Sequence, residues 1–193
     1  KQALAQADTY SSLQGMGVVV RASQSIEFIV TYFAIHLARK AAVPLEKDTP
    51  DEIFYSITDQ VNQSVIPAEV ADVLFTTGTT GKSKGTMISH SAIIANAENL
   101  IDAQHFSHDL TFVISGPLNH IGSLSKVWPV VITGGTLIIT DGMKDQISFL
   151  TALGSAPKTA TFLVPASIRM LLQFSRTQFS MLADNIDFIE TGA

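Results

Sequence analysis

Short apolar runs alternate with longer segments of helical periodicity along most of this chain, and this alternation restricts the fold more than any other feature. Runs typical of buried strands cover residues 43–45, 73–76, 111–115, 136–140, 161–164 and 188–190. Apolar residues recur at helical spacing over residues 25–39, 49–61, 89–103, 124–132, 145–153 and 165–174. Because strands separated by helices form crossover connections, the pattern predicts an α/β fold with a mostly parallel sheet and flanking helices.

Three of the predicted helices contain a proline, and two of these prolines bear on the predicted helix geometry. Residues 49–52, Thr-Pro-Asp-Glu, have the form of a capping box with proline at the first helical position, so Thr49 is expected to cap the helix over residues 49–61. Residues 124–132 are expected to form one helix that carries Pro129.

Length and composition exclude several classes of protein. The 193 residues can form one sizeable core and at most two small domains. The net charge of −5 argues against a nucleic-acid partner, which needs clustered lysine and arginine. The absence of cysteine excludes a disulfide framework, a thiolate zinc site and a cysteine nucleophile.

We expect the protein to be cytoplasmic and to have no membrane span. Residues 1–10 are polar and lack the pattern of a signal peptide. The uncharged stretch 127–140 contains Pro129 and two glycines, and it is shorter than the ~20 residues that a transmembrane helix needs. The chain starts at Lys1 and stops directly after a predicted strand, so we expect a truncated part of a longer protein.

The segment at residues 76–85, Thr-Thr-Gly-Thr-Thr-Gly-Lys-Ser-Lys-Gly, carries the strongest functional pattern. It follows an apolar strand, and ligands of parallel α/β folds bind at the carboxyl ends of strands. Glycines let the backbone approach a ligand, consecutive N–H groups form an anion-binding nest, and lysine adds a charge for phosphate. The pattern therefore predicts a phosphate site, and a flexible surface loop is the alternative.

A P-loop is a second interpretation of the same segment. Gly81-Lys82-Ser83 has the P-loop ending, but Thr76 stands where the first glycine is required. A P-loop lysine also opens a helix, whereas Gly85 and the strand-like residues 86–88 follow here. A kinase or ATPase of this class remains an alternative at this point.

The segment resembles the signature of the adenylate-forming superfamily of acyl-CoA synthetases, luciferases and peptide-synthetase adenylation domains, Thr-Ser-Gly-Thr-Thr-Gly-x-Pro-Lys-Gly. Thr77 replaces its serine and Ser83 its proline. Residues 117–122 are similar to the Pro-Leu-x-His-x-x-Gly element of these proteins, and residues 189–193 to the start of their Gly-Ala adenine-binding segment. Arg39 stands where the family often has glycine. The resemblance extends from Ser25 to Ala193.

The resemblance implies the layered αβα architecture of an N-terminal AMP-binding domain, of which residues 1–193 would be a part that lacks the mobile C-terminal domain. It implies that ATP phosphates are held by Thr76, Thr77, Gly78, Thr79, Thr80, Gly81 and Lys84. Lys84 and His120 would be the catalytic residues, with His120 beside the acid, and Gly192 and Ala193 would contact the nucleotide or the acyl group. Lys82 falls at a variable position of the signature.

The implied reaction joins a small carboxylic acid to AMP from ATP with Mg²⁺ and then passes the acyl group to coenzyme A. No residue of this chain is predicted to bind the metal, and the family's ribose aspartate and C-terminal lysine are not among residues 1–193. The chain alone is therefore expected to be inactive. A peptide-synthetase adenylation domain with a carrier-protein thiol, and a non-catalytic nucleotide-binding scaffold, are the remaining alternatives.

Other histidine and aromatic residues are expected to have structural roles. His36 lies on an apolar helix, and His105 and His108 are assigned to the surface. Trp128 is expected to lie in the core with Phe112, and residues 161–165 to have a mainly architectural role.

Overall fold

The structure is a computed structural model that describes residues 1–76 and 84–192. The chain divides into two compact units, Lys1–Ile94 and Ala95–Ala193. Each unit has its own four-stranded sheet.

The first unit begins with a helix and then alternates strands and helices. Its elements are α1 (Gln2–Ser11), β1 (Gly17–Ala22), α2 (Ile26–Leu37), β2 (Ala41–Glu46), α3 (Asp51–Gln63), β3 (Val70–Thr76) and β4 (Lys84–Ser89). The sheet order is β1-β2-β3-β4, in which the first three strands are parallel and β4 is antiparallel to β3. The helix α4 (His90–Gln104) follows β4 directly.

The core of the first unit forms where β2 meets α3. Val43 and Leu45 of β2 pack with Ile57 and Val61 of α3, and Val73 of β3 completes the cluster. The apolar residues of α3 recur at helical spacing, so they share the face that the sheet buries.

The second unit contains a fully parallel sheet. After α4 its elements are β5 (Thr111–Ile114), α5 (Ile121–Leu124), α6 (Val127–Thr133), β6 (Thr136–Ile139), α7 (Gln146–Leu153), β7 (Thr159–Leu163), α8 (Pro165–Phe174), α9 (Arg176–Ser180) and β8 (Ile186–Thr191). The sheet order is β6-β5-β7-β8. Val113, Phe149, Leu163 and Leu171 are central to its core.

The predicted α/β class with mostly parallel strands and flanking helices is confirmed, with the strands distributed over two sheets. The helices α2, α4, α7 and α8 agree with the predicted ranges to within about two residues. The predicted strands and helices did not include α1, β1, β4, α9 or the 3-10 helix Gly142–Lys144, although residues 86–88 were recognised as strand-like. Among the described residues, no helix combines the length and apolarity that a membrane crossing requires.

Two predicted helix details are wrong. Thr49 does not cap α3, because its hydroxyl donates to the Glu46 carbonyl at 2.7 Å and Pro50 occupies the N-cap position. The single helix predicted over residues 124–132 is two helices, interrupted at Ser125 and Lys126. Pro129 lies in the first turn of α6, where its missing N–H removes no helical hydrogen bond.

Candidate functional site

The glycine-rich segment connects two antiparallel strands of the first unit. Thr76 at the end of β3 pairs with Lys84 at the start of β4, and Phe75 pairs with Gly85. The side chain of Lys84 is exposed. Thr77, Gly78, Thr79, Thr80 and Gly81, which were predicted to bind phosphate, lie outside the described residues. The structure therefore describes the two strands that carry the segment.

The P-loop interpretation is wrong, because the element after the lysines is a strand. A P-loop requires a helix that begins at the lysine, with the helix N-terminus directed at the phosphates. Residues 84–89 instead form β4, which is paired with β3 along its length.

A buried polar cluster lies on the first unit between α2, β3 and α4. The Asp72 carboxylate accepts a hydrogen bond from the Tyr32 hydroxyl at 2.9 Å and lies 3.1 Å from Nε2 of His36. The His36 ring packs edge-on against the His90 ring, with the centroids 5.5 Å apart. Burial lowers the pKa of His90 below its usual value of 6.5, and the charge of His36 lowers it further, against an opposing effect of Asp72. His36 thus has the structural role expected of it.

In the second unit, the predicted residue His120 lies just beyond the carboxyl end of β5. It occupies the N-cap position of α5, and its carbonyl accepts hydrogen bonds from the amides of Ser123 and Leu124. Its side chain is exposed. The neighbouring Asn119 has a buried Oδ1 atom with no hydrogen-bond partner among the described residues. His120 is therefore held by its backbone, and its ring is available to a ligand.

Gly122 and Gly192 both lie against the aromatic ring of Phe162. A Cβ atom at Gly122 would lie 2.8 Å from Cε1 of Phe162, and one at Gly192 would lie 3.2 Å from Cε2. Both glycines thus lie directly against this ring, one at the start of α5 and the other after β8. Ala193, the other residue predicted here, lies outside the described residues.

An ion pair lies in the same region. The ammonium group of Lys126 is 2.8 Å from the carboxylate of Glu190, and the side chain of Lys126 is only 4% exposed. The side-chain amide of Gln104 donates to Glu190 at 2.9 Å. The same ammonium lies 5.6 Å from the centroid of the Phe162 ring.

Sequence reasoning missed these four residues, although one signal was present. Lys126 is the only charged residue between His120 and Asp141, and Glu190 is charged within a predicted strand. Two opposite charges in apolar surroundings indicate a buried pair, since an unpaired charge there is costly. Phe162 and Gln104 carried no such signal.

The turn after β6 packs against the end of β5, at the same edge of the sheet. The Ser115 hydroxyl donates to the Phe162 carbonyl at 2.8 Å, which joins the ends of β5 and β7. Gly142 has a φ of +58°, and a Cβ atom there would lie 1.9 Å from the Ser115 carbonyl oxygen. The close approach at Gly142 fixes the turn against the end of β5. Among the described residues, no group of three or more histidine or acidic side chains could hold a metal ion.

Sequence comparison matches the chain to a family model and to individual proteins. The sequence model of the family described as AMP-binding enzyme matches residues 52–188. An indoleacetate–CoA ligase from Aromatoleum aromaticum is 31% identical over 121 residues, which cover 63% of this chain and 24% of that protein. The nonribosomal peptide synthetase TES from Alternaria alternata is 28% identical over 126 residues, covering 63% of this chain and 2% of that protein.

The fold matches solved structures over the whole chain. The crystal structure of ATP-bound MatB from Rhodopseudomonas palustris has a TM-score of 0.83 at 22% identity, and the match covers 100% of this chain and 48% of that one. The chain thus spans about half the length of that protein and about a quarter of the indoleacetate–CoA ligase. Since the family match extends from α3 into β8, this chain belongs to the AMP-binding enzyme family, the adenylate-forming superfamily that its glycine-rich segment resembles.

Proposed function

We propose that the protein containing this chain activates a small carboxylic acid with MgATP and transfers the acyl group to coenzyme A. The observation that carries the proposal is the threonine-, glycine- and lysine-rich segment at residues 76–85, placed on the β3–β4 hairpin of an AMP-binding enzyme. Such a segment suits the β- and γ-phosphates of ATP, because backbone N–H groups, hydroxyls and ammonium groups all donate to phosphate oxygens.

In the first half-reaction, a carboxylate oxygen of the acid attacks the α-phosphorus of ATP. The bond between the α-phosphorus and its bridging oxygen breaks, and pyrophosphate leaves with the electron pair. We assign Thr76, Thr77, Gly78, Thr79, Thr80 and Gly81 to the departing phosphates and Lys84 to the charge that develops on them. Catalysis of this kind depends on positioning and on charge stabilisation in the transition state.

In the second half-reaction, the thiol of coenzyme A attacks the acyl carbon and AMP leaves. We assign His120 to the border of the acid and the acyl-adenylate, and Gly192 with Ala193 to the nucleotide or the acyl group. The exposed ring of His120 and the contact of Gly122 and Gly192 with Phe162 support this assignment. Mg²⁺ enters as the ion bound to ATP, and no residue of this chain is assigned to it.

Residues 1–193 are proposed to be part of the N-terminal AMP-binding domain of a cytoplasmic enzyme. Because the match covers about a quarter of the indoleacetate–CoA ligase and about half of MatB, we propose that the chain does not complete the reaction alone. A carrier-protein thiol as acceptor is the second candidate, which the match to a peptide synthetase favours. A non-catalytic nucleotide-binding scaffold is the third.

Acid-dependent exchange of pyrophosphate into ATP, measured with the full-length protein, tests the proposal. Aliphatic and aromatic acids are compared, and exchange is expected with one class. The Lys84→Ala variant is expected to exchange about a hundredfold more slowly, the cost of losing one group that stabilises charge in the transition state. Lys82→Ala is the matched control: it removes the same charge from the variable position of the segment and is expected to retain exchange.

Four results would contradict the proposal in different ways. Release of γ-phosphate without pyrophosphate would indicate a kinase or ATPase. A folded, ATP-binding protein that exchanges with no acid would favour the scaffold. Equal losses in Lys82→Ala and Lys84→Ala would remove the assignment of Lys84, because charge alone would then explain the effect. Acyl transfer to a carrier protein but not to coenzyme A would select the second candidate.

A further inference from the structure

The buried ion pair of Lys126 and Glu190 has no evident purpose in folding. The side chain of Lys126 is 4% exposed and that of Glu190 is 24% exposed, so the ammonium is buried and the carboxylate is half-buried. Removing two charges from water costs several kcal/mol per ion, and replacing a buried pair with apolar groups of similar size is often neutral or stabilising. Core stability alone therefore does not account for the pair.

The contacts of the pair connect three segments of the second unit. Lys126 lies between α5, which begins after His120, and α6. Glu190 lies near the end of β8, shortly before Gly192. Gln104, at the end of α4, donates to the same carboxylate at 2.9 Å. The pair thus joins the His120 segment to the Gly192 segment and to α4.

The ring of Phe162 forms a second connection between the same segments. Lys126 lies 5.6 Å from its centroid, which is within the range of a cation–π interaction. The edge of the ring contacts Gly122 on one side and Gly192 on the other. A displacement of the Lys126 ammonium would therefore affect the ring on which both glycines rest.

We propose that Lys126 and Glu190 are positioning residues that hold the Gly192 segment against the His120 segment, so that the acyl-adenylate meets both in fixed geometry. This inference rests on the proposed function.

The test compares variants of the full-length protein in the pyrophosphate exchange assay. Lys126→Met is expected to lower kcat by about tenfold to a hundredfold, the effect of a small displacement in the site, while the KM for ATP changes little. Lys126→Arg retains the charge and the cation–π contact and is expected to stay close to the wild type. The double variant Lys126→Met with Glu190→Gln is expected to stay about as slow as Lys126→Met, because the ion pair that joins the two segments is absent from both.

Lys158→Met is the matched control. Lys158 forms an ion pair with Asp109 at 3.6 Å in the same unit, but directly before β7 and β5, at the opposite edge of the sheet. The pair is also more exposed, at 31% and 58%. Its loss is expected to leave the exchange rate unchanged, since exposed pairs contribute little.

Hydrogen–deuterium exchange gives a readout that does not depend on activity. Peptides covering residues 186–192 and 116–124 are expected to exchange faster in Lys126→Met and in the double variant than in the wild type, and to keep wild-type protection in Lys126→Arg. If the wild type shows no pyrophosphate exchange but the peptides behave in this way, the proposed function fails and the positioning role stands.

Three outcomes would overturn the inference. One is wild-type kinetics and protection in Lys126→Met. Another is a double variant that recovers the wild-type rate, which would show that the unpaired carboxylate, and not the loss of the connection, slows Lys126→Met. The third is that Lys126→Met and the double variant both fail to fold, because the pair would then be a requirement of the fold and not of the site.

Discussion

Arg39 adopts a left-handed backbone conformation that is unfavourable for a residue with a side chain. It follows α2 with a φ of +58°, a left-handed conformation that costs a residue with a side chain about 1–2 kcal/mol. The chain must adopt it, because the amides of Arg39 and Lys40 donate to the carbonyls of His36 and Ile35 and end the helix. Glycine would adopt this conformation without that cost.

Arg39→Gly is therefore expected to stabilise the protein. Relief of the left-handed strain exceeds the greater flexibility of glycine in the unfolded chain, so the free energy of unfolding should rise by about 0.5 kcal/mol. Chemical denaturation of the full-length protein measures the change. Arg39→Ala is the control, since alanine retains the strain and should give no gain. A loss of stability in Arg39→Gly would contradict the argument.

At the scale of elements, the turn after β6 is held by a contact that excludes any side chain. Gly142 has a positive φ, and its Cβ position is occupied by the carbonyl of Ser115. Gly142→Ala must therefore displace the backbone at the end of β5 as well as strain its own. We expect the free energy of unfolding to fall by at least about 2 kcal/mol.

Gly134→Ala separates steric exclusion from backbone strain. Gly134 ends α6 with a φ of +74°, and nothing lies within 4 Å of its Cβ position. Its replacement should cost only the strain, about 1 kcal/mol. Thermal or chemical denaturation of both variants gives the comparison. Equal losses of unfolding free energy in Gly142→Ala and Gly134→Ala would mean that the turn at Gly142 moves away from Ser115 without cost.

At the scale of the whole molecule, the cluster around Asp72 makes stability depend on pH. The pKa of His90 is lowered from its usual value of 6.5, so the unfolded chain binds a proton more readily than the folded one. The contribution of His90 to the free energy of unfolding is therefore complete above pH 6.5. It decreases as the pH is lowered toward the pKa that His90 has in the folded protein. The charges of His36 and Asp72 act on His90, and the His36 ring packs against it.

His90→Gln should reduce the loss of stability between about pH 7.5 and about pH 5.5, since glutamine does not titrate there. Denaturation midpoints measured across this range for the wild type and the variant provide the check. His108→Gln, at an exposed position of the second unit, should keep the wild-type slope. An unchanged slope in His90→Gln would exclude His90 as the source of acid sensitivity.

Much of the fold could be predicted because the sequence patterns that specify its helices and strands span only a few consecutive residues. The apolar spacing of α8 and the aspartate that caps α7 appear within a few consecutive residues. The elements that were missed have weaker local signals: α1 is largely polar and exposed, and β1 is a half-buried edge strand whose partner, β2, lies beyond α2. The proposed phosphate and adenylate residues came from a motif resemblance, and the segment 77–83 remains a prediction.

The sequence by itself determined the α/β class, the order of most elements and the family, because periodicity and motif are properties of adjacent residues. Only the tertiary structure decided that β4 runs antiparallel to β3, which excludes a P-loop. It alone placed Phe162 between Gly122 and Gly192, and paired Lys126 with Glu190. These contacts join residues far apart in the chain, so they depend on how the strands are ordered in the sheet and not on any local pattern.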